Sequence, residues 1–152
     1  MFRGSNAITL DSKNRITIPT KYREELLADC QGKMVCTIDI QHNCLFLYPL
    51  PEWEEIEIQL CKLSNMVESE RMLKQALLGN ATECEMDKNG RLLLTGPLRK
   101  YANLEKNIML VGQLNKFEIW CEAAWDDQLS VAINKVKAGE VELTEKLLDL
   151  SL

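Results

Sequence analysis

The stretch ITLDSKNRITIPTKYRE at positions 8–24 recurs, with substitutions, as CEMDKNGRLLLTGPLRK at positions 84–100. A constant offset of 76 residues aligns Asp11 with Asp87 and Arg15 with Arg91. A repeat of this kind indicates two copies of one supersecondary unit, each too small to bury its apolar face alone. The best-preserved part is a charged D-x-x-x-R turn. Because a hydrophobic core does not need a charged turn, the repeat points to function.

Each copy is typical of two short strands around a polar turn. Residues 7–10 and 15–18 are β-prone and enclose Asp-Ser-Lys-Asn at 11–14, which predicts a local hairpin. Asn14 tolerates a positive φ, and its counterpart Gly90 stands in an Asn-Gly step that favours a primed turn.

The rest of each copy predicts a helix and two more strands. The strands are MVCTID (34–39) and CLFLYP (44–49) in the first copy, and NIMLVG (107–112) and KFEIWC (116–121) in the second. The predicted fold class is α+β, a tandem pseudo-repeat of two β-β-α-β-β units, each followed by a helix. We divide the chain into a first unit (1–50), a linking helix or helices (51–80), a second unit (81–121) and a C-terminal helix with its tail (122–152). The tail is either a docked amphipathic turn or frayed.

Positive charge is concentrated on the two repeated segments, although the chain as a whole carries −5. Residues 1–23 hold five bases and one acid, and residues 88–106 also hold five bases and one acid. Residues 24–87 hold four bases and thirteen acids. Charges screen one another beyond about 8 Å at physiological salt, so local basic patches can attract a polyanion. A solvated basic surface is the structural alternative.

Composition argues against several other classes of protein. No apolar run reaches the length of a membrane span, and the first residues lack the apolar stretch of a secretory signal peptide. Six cysteines occur without C-x-x-C spacing, which favours buried free thiols in a reducing cytoplasm and predicts no metal site and no cofactor.

An enzyme is the first alternative function. His42 lies two residues before Cys44, which suggests a Cys–His nucleophile. Neighbouring positions of a strand turn rarely supply a base for a thiol, and no third orienting group is evident. The sequence therefore predicts that the protein is not an enzyme.

The two motifs together resemble a known family. DSKNRITIP followed by KYRE, and DKNGRLLL followed by LRKY, resemble the tandem domains of the MraZ family, within the AbrB-like swapped-hairpin class of transcription factors. The resemblance covers essentially the whole chain, including the MFRG start. It implies a cytoplasmic, nucleoid-associated bacterial regulator that binds short direct repeats of double-stranded DNA and represses its own operon in the division and cell-wall gene cluster. It also implies a homo-oligomeric ring, an octamer or a dodecamer.

The residues themselves suggest how such a turn could bind DNA. An arginine directly after a tight turn offers a forked guanidinium to guanine or to phosphate, whereas a flexible lysine favours phosphate. The predicted DNA-binding residues are Arg15, Lys13, Arg91, Lys88 and Arg3. The residues predicted to shape the turns are Asp11, Asp87, Asn14 and Gly90. An intramolecular salt bridge is the structural alternative for each Asp–Arg pair.

Two further alternatives belong to other functional classes. A ring-forming scaffold would bind other proteins through the apolar helices. An antitoxin of the same hairpin class would bind DNA and a toxin, although the second repeat occupies the place of a toxin-binding tail. Charge concentrated at the turns rather than on the helices favours DNA.

Overall fold

The structure is a computed structural model that describes residues 1–152. The first repeat contributes the strands β1 (Ser5–Thr9), β2 (Arg15–Thr17), β3 (Lys33–Ile38) and β4 (Leu45–Pro49). The second repeat contributes β5 (Thr82–Glu85), β6 (Arg91–Leu93), β7 (Asn107–Gly112) and β8 (Phe117–Cys121). The helices are α1 (Thr20–Cys30), α2 (Leu50–Cys61), α3 (Glu68–Gly79), α4 (Gly96–Tyr101), α5 (Glu122–Ala138) and α6 (Glu145–Leu148). The predicted α+β class and the tandem repeat are confirmed.

Helix ends follow the local residue types. The helix α1 begins after Pro19 and ends where Gln31 and Gly32 take positive φ values of 57° and 76°. Gly32 N then donates to Leu26 O at 3.1 Å, which satisfies a carbonyl that the helix leaves open. The linking segment holds two helices, and α3 ends at Gly79 as the Gly-Asn step predicts.

The two strands on either side of each polar turn do not pair with one another, so the predicted local hairpin is wrong there, although β3 pairs with β4 and β7 with β8 as neighbours along the chain. Six strands form one antiparallel sheet in the order β1-β7-β8-β4-β3-β5, while β2 and β6 form a separate two-stranded sheet. Only the turn itself closes locally, because Asp11 N donates to Arg15 O at 2.9 Å. The strand β2 has three residues, and pairing it with β6 buries Ile16 and Leu92 completely. The burial of apolar side chains from both repeats therefore favours the pairing of β2 with β6.

The two repeats are related by an approximate twofold axis. Ile16 lies directly opposite Leu92, which is its own counterpart at the offset of 76. Two reciprocal hydrogen bonds flank this pair, from Ile18 N to Gly90 O at 2.7 Å and from Leu94 N to Asn14 O at 3.0 Å. In the larger sheet, β1 of the first repeat pairs with β7 of the second, and β5 of the second pairs with β3 of the first. Each repeat thus supplies an edge strand that pairs with a strand of the other repeat.

One hydrophobic core serves both repeats. The spacing of four residues from Tyr22 to Leu26, and from Leu98 to Ala102 in the second repeat, predicts apolar helix positions that face the core. All four residues are buried and belong to this core, so the prediction is confirmed. Phe2 is buried as well, and its ring stacks on Phe117 and meets Tyr22 edge-on. The apolar residue at the start of the chain is therefore part of the core.

All six cysteines are free, but they are not uniformly buried. Cys30, Cys36 and Cys44 are buried, and Cys84 and Cys121 are half-buried, whereas Cys61, the last residue of α2, is exposed. The expectation of burial is thus wrong for Cys61.

The chain divides into two units, residues 1–122 and 123–152. The second unit contains most of α5 and the short helix α6, where Thr144 Oγ1 accepts a hydrogen bond from Leu147 N at 3.3 Å. Three apolar side chains of α5 stand four and three residues apart, and we call them the α5 stripe. They are exposed: Leu129 by 39 %, Ile133 by 43 % and Val136 by 64 %. No helix in the chain combines the length and apolar character that crossing a bilayer requires.

Candidate nucleic-acid interface

The two-stranded sheet of β2 and β6 has one buried and one outward side. Side chains alternate along a strand, so Ile16 and Leu92 face the core while their neighbours face outward. The outward residues pair across the strands, Arg15 with Leu93 and Thr17 with Arg91. We call this outward side, together with the turns at 11–14 and 87–90, the ribbon face. Its exposed members are Lys13, Thr17, Lys88 and Leu93, and its half-buried members are Arg15 and Arg91.

The carboxylate of Asp11 organises the first turn. Its Oδ1 accepts hydrogen bonds from Lys13 N at 2.8 Å and from Arg15 N at 2.9 Å. Its Oδ2 accepts one from Arg15 Nε at 3.0 Å, which is the predicted alternative of an intramolecular salt bridge. The backbone hydrogen bond from Arg15 is the main reason that the pKa of Asp11 is lowered. The same carboxylate therefore shapes the turn and orients its arginine.

The second turn repeats the backbone geometry without the ion pair. Asp87 Oδ1 accepts from Asn89 N at 2.8 Å and from Arg91 N at 2.9 Å. The hydrogen bond from the Arg91 backbone is the largest cause of a lowered pKa at Asp87, and the charge of Arg15 lowers that pKa further. The first arginine is thus within electrostatic range of the second turn. The guanidinium of Arg91 has no hydrogen bond or ion pair within the chain.

Both turns require a residue with positive φ before the arginine. Asn14 has a φ of 63° and Gly90 one of 78°. A Cβ on Gly90 would lie 2.3 Å from Arg23 Nε, so glycine is needed there for space as well as for conformation. The second turn is therefore held tightly against a side chain of the first repeat.

Two arginines that count toward the basic segments are structural. Arg23 Nε donates to Ile18 O at 2.7 Å, and Arg99 Nε donates to Leu94 O at 3.0 Å. Each guanidinium thus binds a backbone carbonyl just beyond the strand that follows the turn. This role was not predicted from the sequence, although the offset of 76 residues that aligns Arg23 with Arg99 indicates a shared function.

The remaining predicted DNA-binding residues fall in two places. Lys13 and Lys88 are exposed at the tips of the two turns. Arg3 lies before β1, at the opposite end of that strand from Asp11, and the strand alone separates them by roughly 13 Å. The structure therefore brings four of the five predicted basic residues together and leaves Arg3 apart.

The geometry around Cys44 does not suit a nucleophile. Its Sγ lies 3.5 Å from Asp39 Oδ2 and 3.8 Å from Glu118 Oε1. Burial and these two carboxylates raise the pKa of the thiol far above its usual value. His42 Nδ1 is 3.3 Å from Asp39 Oδ2. The thiol is thus kept protonated rather than activated.

Comparison with known proteins gives one consistent result. A family model described as "MraZ protein, putative antitoxin-like" matches the chain twice, over residues 1–76 and 77–144. The chain is 73 % identical to the transcriptional regulator MraZ of Colwellia psychrerythraea over 152 residues, which is all of both chains. It is 62 % identical to the protein of that name from Pseudoalteromonas atlantica and 58 % identical to the one from Idiomarina loihiensis, again over all of both chains. The chain therefore belongs to the MraZ family of transcriptional regulators, which is not a family of enzymes.

Proposed function

We propose that the chain regulates transcription by binding double-stranded DNA sequence-specifically through the ribbon face. The observation that carries this proposal is the β2–β6 ribbon itself, which presents Arg15 and Arg91 on its outward side. The major groove of DNA admits a two-stranded β-ribbon, and arginine reads guanine through its O6 and N7 atoms. The two lysines at the turn tips suit phosphate contacts that fix the register without reading sequence.

The regulated gene follows from the family resemblance. We propose that the protein represses its own operon in the division and cell-wall gene cluster by binding short direct repeats upstream. This activity requires a cytoplasmic protein that associates with the nucleoid.

Self-association into a ring, an octamer or a dodecamer, is part of the proposed mechanism. A single ribbon buries little surface, and small contacts of this kind bind DNA with dissociation constants of about 10⁻⁴–10⁻⁶ M at physiological salt. Several ribbons on one assembly would act together through a raised effective concentration if the DNA carries repeats at matching spacing. The exposed apolar side chains of α5 support an assembly contact, since contiguous exposed apolar surface is typical of interfaces.

A gel-shift series tests this proposal. The probes are duplexes from upstream of the gene that carry one repeat or three repeats, each at several salt concentrations. Every phosphate neutralised contributes a slope of about −0.9 to log affinity against log salt. We expect tighter binding and a steeper slope on three repeats. Equal slopes on both duplexes would contradict multivalent binding, and no preference over scrambled DNA would contradict specific recognition.

A protein partner is the second candidate, as a scaffold or as an antitoxin-like regulator. The exposed α5 stripe and the antitoxin-like description of the family favour it. Native mass spectrometry of the protein purified from its own host distinguishes the two. A homo-oligomer supports the first proposal, and a stoichiometric second protein supports this one.

A further inference from the structure

Three potential metal ligands meet where the β3–β4 connection contacts β8, and a fourth, His42, lies beside Asp39. Asp39, His42 and Cys44 come from the first repeat, and Glu118 comes from the second. The thiol and one oxygen of each carboxylate all lie within 4.8 Å of one another. This cluster is separate from the ribbon residues and takes no part in the proposed DNA binding.

Three distances in the cluster are close to the edges of a small coordination tetrahedron. Zinc binds thiolate at about 2.3 Å and imidazole or carboxylate at about 2.0–2.2 Å, so tetrahedral ligands lie about 3.3–3.6 Å from one another. The edge from His42 Nδ1 to Asp39 Oδ2 is 3.3 Å. The edges from Cys44 Sγ are 3.5 Å to Asp39 Oδ2 and 3.8 Å to Glu118 Oε1. An ion between Asp39, Cys44 and Glu118 needs only small movements of these three side chains, and the half-exposed imidazole of His42 would turn toward it.

The charges of the cluster also favour a cation. Asp39 is only 5 % exposed, and Cys44 is buried as well. The ion-pair partner of Asp39 is the imidazole of His42, and neither Asp39 nor Glu118 pairs with a lysine or an arginine. Buried carboxylates are costly unless they are paired or coordinate a metal. A divalent ion would compensate both carboxylates.

Outer hydrogen bonds hold the carboxylates in place. Gln41 N donates to Asp39 Oδ1 at 2.8 Å, which leaves Oδ2 directed toward the cluster. Trp120 Nε1 donates to Glu118 Oε1 at 2.9 Å. Such second-shell bonds are typical of metal sites, where they orient the ligands. The side chain of His42 is 41 % exposed, so the cluster has a route to solvent.

We propose that Asp39, His42, Cys44 and Glu118 form a binding site for one zinc-like transition-metal ion. One thiolate, one imidazole and two carboxylates are a donor set that Zn²⁺ accepts. Binding replaces the thiol proton, so a sulfur–metal bond forms and one proton leaves to solvent. Three ligands belong to the first repeat and one to the second, so the ion would tie the repeats together beside the Phe46–Glu118 pair of β4 and β8. The sequence predicts no metal site because its cysteines lack close spacing, whereas this cluster joins residues that are distant along the chain.

Titration of the chelator-treated, full-length protein with Co²⁺ tests the site. We expect one equivalent per chain and an absorption band from thiolate-to-cobalt charge transfer. The band should disappear in Cys44→Ser and persist in the matched control Cys61→Ser, which changes an exposed cysteine of α2. Added Zn²⁺ should bleach the band and raise the thermal midpoint of the wild type, because ligands that bind only the folded state stabilise it.

Glu118→Gln provides a second variant in case Cys44→Ser does not fold. We expect it to keep the charge-transfer band while its metal affinity falls at least tenfold. Absence of stoichiometric binding to the wild type, or a band that survives Cys44→Ser, would overturn the proposal. A band lost in Cys61→Ser would assign the metal to a different thiol and would overturn it as well.

Discussion

Replacing Arg15 with alanine removes a guanidinium from the ribbon face and leaves the turn that carries it. The two bonds that close the turn around Asp11 Oδ1 come from the backbone amides of Lys13 and Arg15, and alanine retains that amide. Only the side-chain ion pair with Asp11 is lost, and its members are 28 % and 37 % exposed. Ion pairs this accessible contribute little to folding. We therefore expect the stability of the Arg15→Ala variant to be close to that of the wild type.

The effect on DNA binding should be much larger than the effect on folding. A bidentate arginine–guanine contact is worth about 1–3 kcal/mol of discrimination, which is roughly a 5- to 150-fold change in affinity at one site. When several subunits of an assembly bind repeated sites, the losses combine. On a three-repeat duplex we expect specific binding to fall to the level of scrambled DNA.

Fluorescence anisotropy with one-repeat and three-repeat duplexes measures this loss, and light scattering measures the assembly. Arg71→Ala is the matched control, because it removes an exposed arginine from α3 within the acidic segment. We expect the control to bind DNA as the wild type does, and both variants to keep the wild-type mass. Wild-type affinity in Arg15→Ala at unchanged mass would refute the assignment of the ribbon face. A changed mass would show instead that the arginine supports assembly.

Three further predictions concern the turns. Arg91→Ala should weaken specific DNA binding less than Arg15→Ala does, because no carboxylate orients the guanidinium of Arg91 before DNA binds. A larger loss of affinity for Arg91→Ala in the same anisotropy assay would reverse this ranking. Gly90→Ala should destabilise the fold by about 1–3 kcal/mol from its positive φ alone, with an added cost from the contact with Arg23. Gly139→Ala is the control, because Gly139 also has a positive φ but lies in open space. Equal shifts of the urea midpoint in the two variants would show that the contact with Arg23 is unimportant. The carboxyl of Asp11 should titrate by NMR with a pKa below its reference value of 3.8. The carboxylate therefore contributes its full stabilisation of the turn above the unfolded-state pKa and loses it as the pH falls through the lower folded-state pKa. A midpoint at or above 3.8 would contradict the hydrogen bonds to the backbone.

The sequence was most informative where a pattern is local. The polar turns, the strands after them and the buried positions Tyr22 and Leu98 follow from residue type and spacing, and the structure agrees with them. Helix ends at Gly79 and near Gly139 follow from residues that stop helices. Such patterns involve only a few neighbouring residues, so they can be recognised in a single sequence.

The pairing of the strands around the two polar turns could not be predicted in the same way. Residues 7–10 and 15–18 look like a hairpin because they are adjacent, yet β1 pairs with β7 and β2 with β6. The choice between a near and a distant partner depends on the total burial that each arrangement achieves, which involves both repeats at once. The ligand-rich cluster escaped notice for the same reason, since Glu118 is distant in sequence from Asp39.

Fusion of the two repeats in one chain has a consequence for the ribbon face. Two identical chains around a true twofold axis would present the same residues on both strands. Here the axis is approximate, and Thr17 of the first repeat corresponds to Leu93 of the second, which is 57 % exposed. Leu93 lies opposite the ion-paired Arg15, while Thr17 lies opposite the unpaired Arg91. An apolar side chain suits a thymine methyl group and a threonine can also donate a hydrogen bond. On the proposed function, the two halves of one ribbon therefore meet different bases, and an assembly of such chains is matched to direct repeats of an asymmetric site rather than to palindromes.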